Sequence, residues 1–197
     1  METAIKEIAA AMNGKGTISL VSASNQPVLE GKFTPEDLSA VPDRIRTPHS
    51  ESWKLDLALR LASGELINAN QKRAVIFLSA GNISSDNFKQ YNLNDLAAYM
   101  ANNNIRFYTV ALKQGAIAPE LAFLSKRTGG AVSFVYNEKG LGNIVSSLIK
   151  SPIGMYQLRY TSALPTDFGR AFLPVEVEVR LLNRSGRDET GYFAPLE

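Results

Sequence analysis

Arg73-Ala-Val-Ile-Phe-Leu-Ser-Ala-Gly81 decides the fold class. Ala74 to Leu78 are apolar without interruption. Successive residues of a strand point to opposite faces, so this run presents hydrophobic side chains on both sides. Such a strand belongs in a parallel sheet covered above and below. Ser79-Ala80-Gly81 ends the run, at the position where open α/β sheets present their ligand-binding loops.

Outward from this strand, the pattern alternates. Upstream, Leu55, Leu59, Ala62 and Leu66 recur at helical spacing between Trp53 and Ile67. Downstream, Ile83 to Tyr91 reads as a polar connection and Leu93 to Met100 as a helix, its end marked by Asn102-Asn103-Asn104. Ile105 to Leu112 is a strand, Pro119 to Lys126 a helix stopped by Gly129-Gly130, Val132 to Tyr136 a strand, and Leu141 to Ile149 a helix stopped by Pro152. Strands alternating with helices predict a doubly wound, mostly parallel sheet with helices on both faces, over residues 1–152.

The two ends differ from this middle. Ala4, Ile5, Ile8, Ala9 and Met12 share one face of an opening helix that Asn13-Gly14 stops. Thr17 to Ala23 reads as a strand, Gln26-Pro27 as a turn and Val28 to Phe33 as a short edge strand. Thr34-Pro35-Glu36-Asp37 has the cap, proline and acids of a helix start, and Thr47 to Ser52 forms a polar loop. After Pro152, Tyr156, Leu158 and Tyr160 alternate with Gln157 and Arg159. Val175, Val177 and Val179 alternate with Glu176, Glu178 and Arg180. Alternation predicts antiparallel strands with one wet face, a hairpin joined through Pro165 to Gly169, with a third strand at Thr190 to Ala194. Residues 153–197 are therefore expected to extend the domain and pack on it. Tyr156, Tyr160, Phe172 and Tyr192 are expected to pack the hairpin as cross-strand pairs.

Composition narrows the function. At 197 residues and 45% apolar content, the chain can bury one good-sized core. Lys+Arg 21 against Asp+Glu 19 leaves +2, too balanced to suggest nucleic acid as a partner. The lack of cysteine excludes disulfides, thiolate catalysis and Cys-based zinc sites. The opening residues carry Glu2, Lys6 and Glu7 and lack the pattern of a signal peptide. No window is long and apolar enough for a transmembrane helix, so no membrane insertion is expected.

The order of these elements, with specific residues, resembles a von Willebrand factor type A domain of the bacterial kind. The resemblance rests on Leu57-Ala58-Leu59-Arg60-Leu61-Ala62 before the strand at Arg73 to Gly81. It continues in Asn104-Ile105-Arg106-Phe107-Tyr108-Thr109-Val110, and in Leu121 to Lys126 followed by Thr128-Gly129-Gly130. Tyr156 to Tyr160 and Gly191-Tyr192-Phe193-Ala194-Pro195 are similar to the tail of one bacterial subgroup. The resemblance covers essentially the whole chain, and implies a protein–protein interaction module that is exported or attached to the cell envelope.

Two departures qualify what the resemblance implies. Metal-binding members carry Asp-x-Ser-x-Ser at the end of a first, central strand, whereas this chain opens with the helix that follows it. Met1 is then an internal methionine of a longer reading frame, or another strand fills the gap, or a partner supplies one by strand addition. In addition, the family's second metal-holding Asp is replaced by Ala80, whose methyl group cannot ligate a hard cation. Thr47, Ser50 and Ser52 are candidates for the family's single metal-site Thr. The implied metal site is degenerate, with no cofactor expected; magnesium enters only if the acidic motif lies upstream of Met1.

The expected binding face is the rim made by loops Ser22–Gln26, Thr47–Trp53, Ser79–Asp86 and Lys113–Ala116. Its candidate residues are Ser24, His49, Ser52, Trp53, Ser79, Asn82, Ser84, Ser85, Asp86 and Lys113. Each has an ordinary alternative. His49, the only histidine, has Glu51 as its one nearby acid and reads most simply as a surface imidazole. Ser85 or Asp86 suffices as a helix cap, and Trp53 suits burial against the sheet as well as it suits a binding anchor. Gly129-Gly130 and Gly140-Leu-Gly142 lack phosphate-loop spacing and read as turn and helix-end glycines. No nucleophile-elbow pattern is present, so a Ser-His-Asp mechanism has no support.

The sequence thus points to a non-catalytic module that binds a protein through the carboxyl ends of its strands. Metal-dependent adhesion is the first alternative, and a hydrolase on a doubly wound scaffold the second.

Overall fold

Strand Arg73–Ser79 pairs in parallel with Ile105–Ala111, from Arg73↔Ile105 to Ser79↔Ala111, as its two-faced apolar run requires. The computed structural model describes residues 2–37, 53–69, 71–79, 83, 85–134, 138–151, 160–161, 163, 172–182 and 184–193. The elements in order begin with α1 (Glu2–Ala11), β1 (Ile18–Ser22), β2 (Val28–Phe33), α2 (Leu55–Ile67) and β3 (Arg73–Ser79). A 3₁₀ turn (Ser85–Phe88), α3 (Leu93–Asn102), β4 (Ile105–Ala111), α4 (Pro119–Arg127), β5 (Val132–Phe134) and α5 (Glu138–Lys150) follow. The last two are β6 (Phe172–Leu181) and β7 (Arg184–Phe193). The chain forms two compact units, Met1–Met155 and Tyr156–Glu197.

In the first unit, β3, β4 and β5 make a parallel sheet with β4 in the middle. Alternation along the strands divides its side chains between two apolar layers. Ile105 and Phe107 of β4, with Val75 and Phe77 of β3, pack against Leu55 and Leu59 of α2, Leu96 and Met100 of α3, and Leu121 and Leu124 of α4. Tyr108 and Val110, with Ala74, Ile76 and Leu78, pack against Ala4 of α1 and Leu141 and Ile144 of α5. Each large side chain so buried contributes about 1.5–3 kcal/mol. Helices therefore cover both faces, and the α/β class read from the sequence is the observed one.

Local chemistry fixes the ends of these elements. Asn92 caps α3, its Oδ1 accepting from Asp95 N at 2.9 Å. Arg73 anchors the start of β3 by donating to the carbonyls of Ala69 and Asn103. Thr128 links the end of α4 to the sheet: its Oγ1 accepts from Phe107 N at 2.9 Å and donates to Leu124 O at 2.8 Å. Gly129 follows in the left-handed region at φ 73. A Cβ on Gly130 would lie 1.9 Å from Phe107 O, so only glycine allows this approach of turn and strand. Thr34 caps the next turn, its Oγ1 accepting from Asp37 N at 3.2 Å. The helix expected beyond it lies outside the described residues.

β1 and β2 form an antiparallel hairpin, from Ile18↔Phe33 to Ser22↔Val28, with an irregularity between Leu20 and Val21. Among the described residues no strand pairing joins this hairpin to β3. The two are linked through α1, whose Ile5 and Ala9 touch Ile18, Leu20, Phe33 and also Leu78 of β3.

The second unit is an antiparallel hairpin, from Phe172↔Phe193 to Leu181↔Arg184. The partner of β6 differs from the expected one. Tyr160 lies outside any strand, residues 156–159 are outside the described ones, and β6 pairs with a strand that starts at Arg184, well before Thr190. Arg184 to Gly191 contains no apolar residue, so its strand has no hydrophobic signature. Cross-strand charge supports it: Arg187 pairs with Glu176, while Arg180 binds Glu178 on its own strand at 2.9 Å. Of the four aromatic residues expected to pack this region, Phe172 stands directly opposite Phe193, while Phe172 and Tyr160 are exposed. Tyr156 and the Tyr192 side chain are outside the described residues.

Candidate functional site

At the carboxyl ends of β3 and β4 the chain opens a cavity of about 270 Å³. Ser79 closes it from β3, Thr109 and Ala111 from β4, the segment Lys113–Ala118 from above, and Leu121 from α4. Its position follows from the fold, since strands of a parallel sheet all release their loops at one end. The volume lies just below the 300–1,000 Å³ usual for small-molecule sites.

The polar groups inside are largely committed. Ser79 is buried, and its carbonyl accepts from Leu112 N at 2.8 Å. Thr109 and Ser125 are buried and share a hydrogen bond between their hydroxyls at 3.1 Å. That pair has no histidine, carboxylate or amine among the cavity's lining residues to activate it except the exposed Lys113 at the rim. Among the described residues no group of three or more His, Asp or Glu side chains converges as metal ligands would.

A buried acid that the sequence reading overlooked stands in α2. Asp56 in the first turn of α2 is 1% exposed, and its carboxylate accepts from three backbone N–H groups. These are Leu57 at 2.8 Å, Gln90 at 2.8 Å and Tyr91 at 3.0 Å. The carboxylate therefore holds the loop after the 3₁₀ turn onto α2, a structural task that occupies its lone pairs. The available signal was an acid placed between Leu55 and Leu57 in the first turn of an apolar helix, which also reads as a plain dipole complement.

The structure places the sequence-derived candidates in three locations. Ser79 and Lys113 line the cavity together. Ser24 lies beside the start of α2: its carbonyl accepts from Lys54 N at 3.1 Å, and its hydroxyl donates to Gln26 O at 2.5 Å. The neighbouring Trp53 is half-buried and stacks on Phe77 at 6.2 Å, and Phe77 stacks in turn on Phe107 at 6.3 Å. Trp53 thus packs on the sheet through a three-ring stack. Asp86 is exposed in the 3₁₀ turn and pairs with Lys89 at 3.2 Å. This turn, Ser85–Phe88, lies within what the sequence suggested was a polar connection, and it buries Asn87. His49, Ser52, Ala80, Asn82 and Ser84, with the other metal-site candidates Thr47 and Ser50, lie outside the described residues, as does the Ser85 side chain. Thr109, Leu121 and Ser125 complete the site without having been anticipated, because they come from the interior of β4 and α4 rather than from loops.

A parallel sheet between two helical layers, with a cleft at the carboxyl ends, is a doubly wound α/β architecture. The comparison with solved structures agrees: the chain superposes on a von Willebrand factor type A protein from Catenulispora acidiphila with a TM-score of 0.59 at 12% identity. The match covers 98% of this chain and 49% of that one, so the chain spans about half the length of that relative. An uncharacterized membrane spanning protein from Vibrio fischeri also matches, at 18% identity over 75% of this chain and 83% of that one, but its TM-score of 0.28 carries no argument. No protein-family model and no curated protein matches the chain. The comparisons therefore show the fold.

Proposed function

We propose that this chain is a non-catalytic protein–protein interaction module that binds its partner at the carboxyl ends of β3 and β4 without an intact metal site. The observation that carries this reading is the cavity itself. It has a volume of about 270 Å³, and its lining includes the buried Ser79 and Thr109 and the exposed Lys113. A partner residue with an apolar stem and an acidic or amide head suits that lining. Metal independence is supported by Ala80 in place of the family's acid, and by the commitment of Asp56 to three backbone donors. The non-enzymatic reading is supported by the Thr109–Ser125 pair, beside which the cavity's lining offers no histidine or carboxylate and only the exposed Lys113 as an amine.

Thermal melting with and without Mg²⁺, Mn²⁺, Ca²⁺ or EDTA tests the metal-free part. A cation at a hundredfold its Kd stabilises the folded state by about 2.7 kcal/mol, which raises the Tm of a chain this size by about 5–10 °C. We expect no rise. A rise specific to Mg²⁺ or Mn²⁺ overturns metal independence and makes metal-dependent adhesion the better reading.

The binding face is tested by using the absence of cysteine. Lys113→Cys and Lys150→Cys each give a unique thiol for a photo-crosslinker. Capture of one protein from the native host at position 113 but not at 150 supports the cavity as the site; equal capture at both positions refutes it. Hydrolysis of generic ester or phosphate substrates by the purified chain would overturn the non-enzymatic reading.

A further inference from the structure

The two ends of the parallel sheet differ in charge pattern. At the carboxyl end, α2, α3 and α4 each open with an acid in the first turn: Asp56, Asp95 and Glu120. At the amino end, segments 66–73, 101–106, 126–132 and 149–155 come together. They contain Lys72, Arg73, Arg106, Lys126, Arg127 and Lys150, and no Asp or Glu.

Hydrogen bonds hold these segments in one place. Arg73 donates to Ala69 O and Asn103 O, which joins the segments entering β3 and β4. Lys72 Nζ donates to Ile149 O and brings in the last turn of α5. Thr128 Oγ1 accepts from Phe107 N and fixes the end of α4 beside β4. Lys126, Arg127 and Lys150 are exposed, whereas Lys72 and Arg106 are half-buried. Among the described residues none of these five cations forms an ion pair. Glu65, near the end of α2, is paired with Lys32 at 2.6 Å.

Cations at helix C-termini complement the macrodipole, which accounts for Lys126, Arg127 and Lys150. It does not account for Lys72 and Arg106, which stand at the starts of strands. Nor does it account for Ile149, which is 57% exposed beside Lys150 and bonded through its carbonyl to Lys72. Phe123, also exposed, lies one helical turn before Arg127 on α4. Cations beside exposed apolar side chains match the two layers of an anionic membrane interface: charged headgroups, and the acyl boundary beneath them.

We infer that the amino end of the parallel sheet docks reversibly on the surface of an anionic phospholipid bilayer. The five cations meet the headgroups, their long stems lying along the protein while the charged heads reach outward. Ile149 enters the acyl boundary. A nucleic acid would satisfy the cations equally but would leave Ile149 unused. The docked face is opposite the cavity, so a membrane-bound chain keeps the cavity turned toward solution. Surface and partner both differ from those of the proposed function, and the two readings stand or fall separately.

The test is flotation of the full chain with vesicles of phosphatidylcholine alone or of equimolar phosphatidylcholine and phosphatidylserine. At low salt we expect at least tenfold greater recovery with the serine-containing vesicles. That recovery should vanish at about 1 M salt, where screening acts within about 3 Å. Lys126→Ala, Arg127→Ala and Lys150→Ala should each weaken binding about fivefold. Lys89→Ala removes an exposed cation at the other end of the sheet and should leave binding unchanged. Ile149→Ser should weaken binding to vesicles but not to duplex DNA. Matched melting curves for these exposed positions show that lost binding is not lost fold. Equal recovery on both vesicles overturns the inference, as does recovery on neither. Equal weakening by Lys89→Ala refutes the assigned face. Tighter binding to duplex DNA than to vesicles, with Ile149→Ser silent on both, would make nucleic acid the partner and the lipid assignment wrong.

Discussion

The parallel sheet β3–β4–β5 and the hairpin β6–β7 both include strands with several apolar residues, yet different forces hold them. In the sheet, Phe107 and Val110 are 0% exposed beneath helices on either face. In the hairpin, Val179 is 62% and Leu182 99% exposed, and pairs such as Arg187 with Glu176 accompany the backbone ladder. The comparison teaches that alternation of polarity settles how a strand is supported, and so how much a single side chain matters. Continuous apolar sequence concentrates stability in burial, whereas alternating sequence spreads it over exposed pairs that solvent weakens.

Substitution can break or sharpen this contrast. Phe107→Ala should give the largest loss, about 3–5 kcal/mol in denaturant unfolding of the first unit, because it empties a packed site between α2, α3 and α4. A loss below about 1 kcal/mol would mean that the sheet is not the stability centre. Asp56→Ala should cost about 2–3 kcal/mol, since three backbone donors lose a buried carboxylate; Asp56→Asn should recover part of it. Thr128→Val removes the hydroxyl between Phe107 N and Leu124 O, and should cost about 1–2 kcal/mol in the same measurement. Arg187→Ala in the hairpin should change stability by no more than about 0.5 kcal/mol, and any effect should shrink as salt is raised.

Legibility followed the same division. Ala74–Leu78 and Ile105–Val110 announced buried strands because both faces are covered, and the breaks at Asn13-Gly14 and Gly129-Gly130 marked real helix ends. β7 was hidden because a strand exposed from Ser185 to Thr190 needs no apolar residue, and its pairing depends on β6 rather than on its own pattern. At the cavity, Ser79 and Lys113 were legible from their place at strand ends. Thr109 and Leu121 were not, because their inward direction depends on how β4 and α4 pack. Asp56 was masked by the helix dipole, which explains an acid in a first turn without invoking a distant loop.

The stack Trp53–Phe77–Phe107 contains the single tryptophan of the chain. Its intrinsic fluorescence on excitation at the red edge is therefore the emission of one indole resting on the half-buried strand β3. Any event that re-seats that strand, the onset of unfolding included, should alter the spectrum. The protein carries its own optical reporter on the first strand of its parallel sheet.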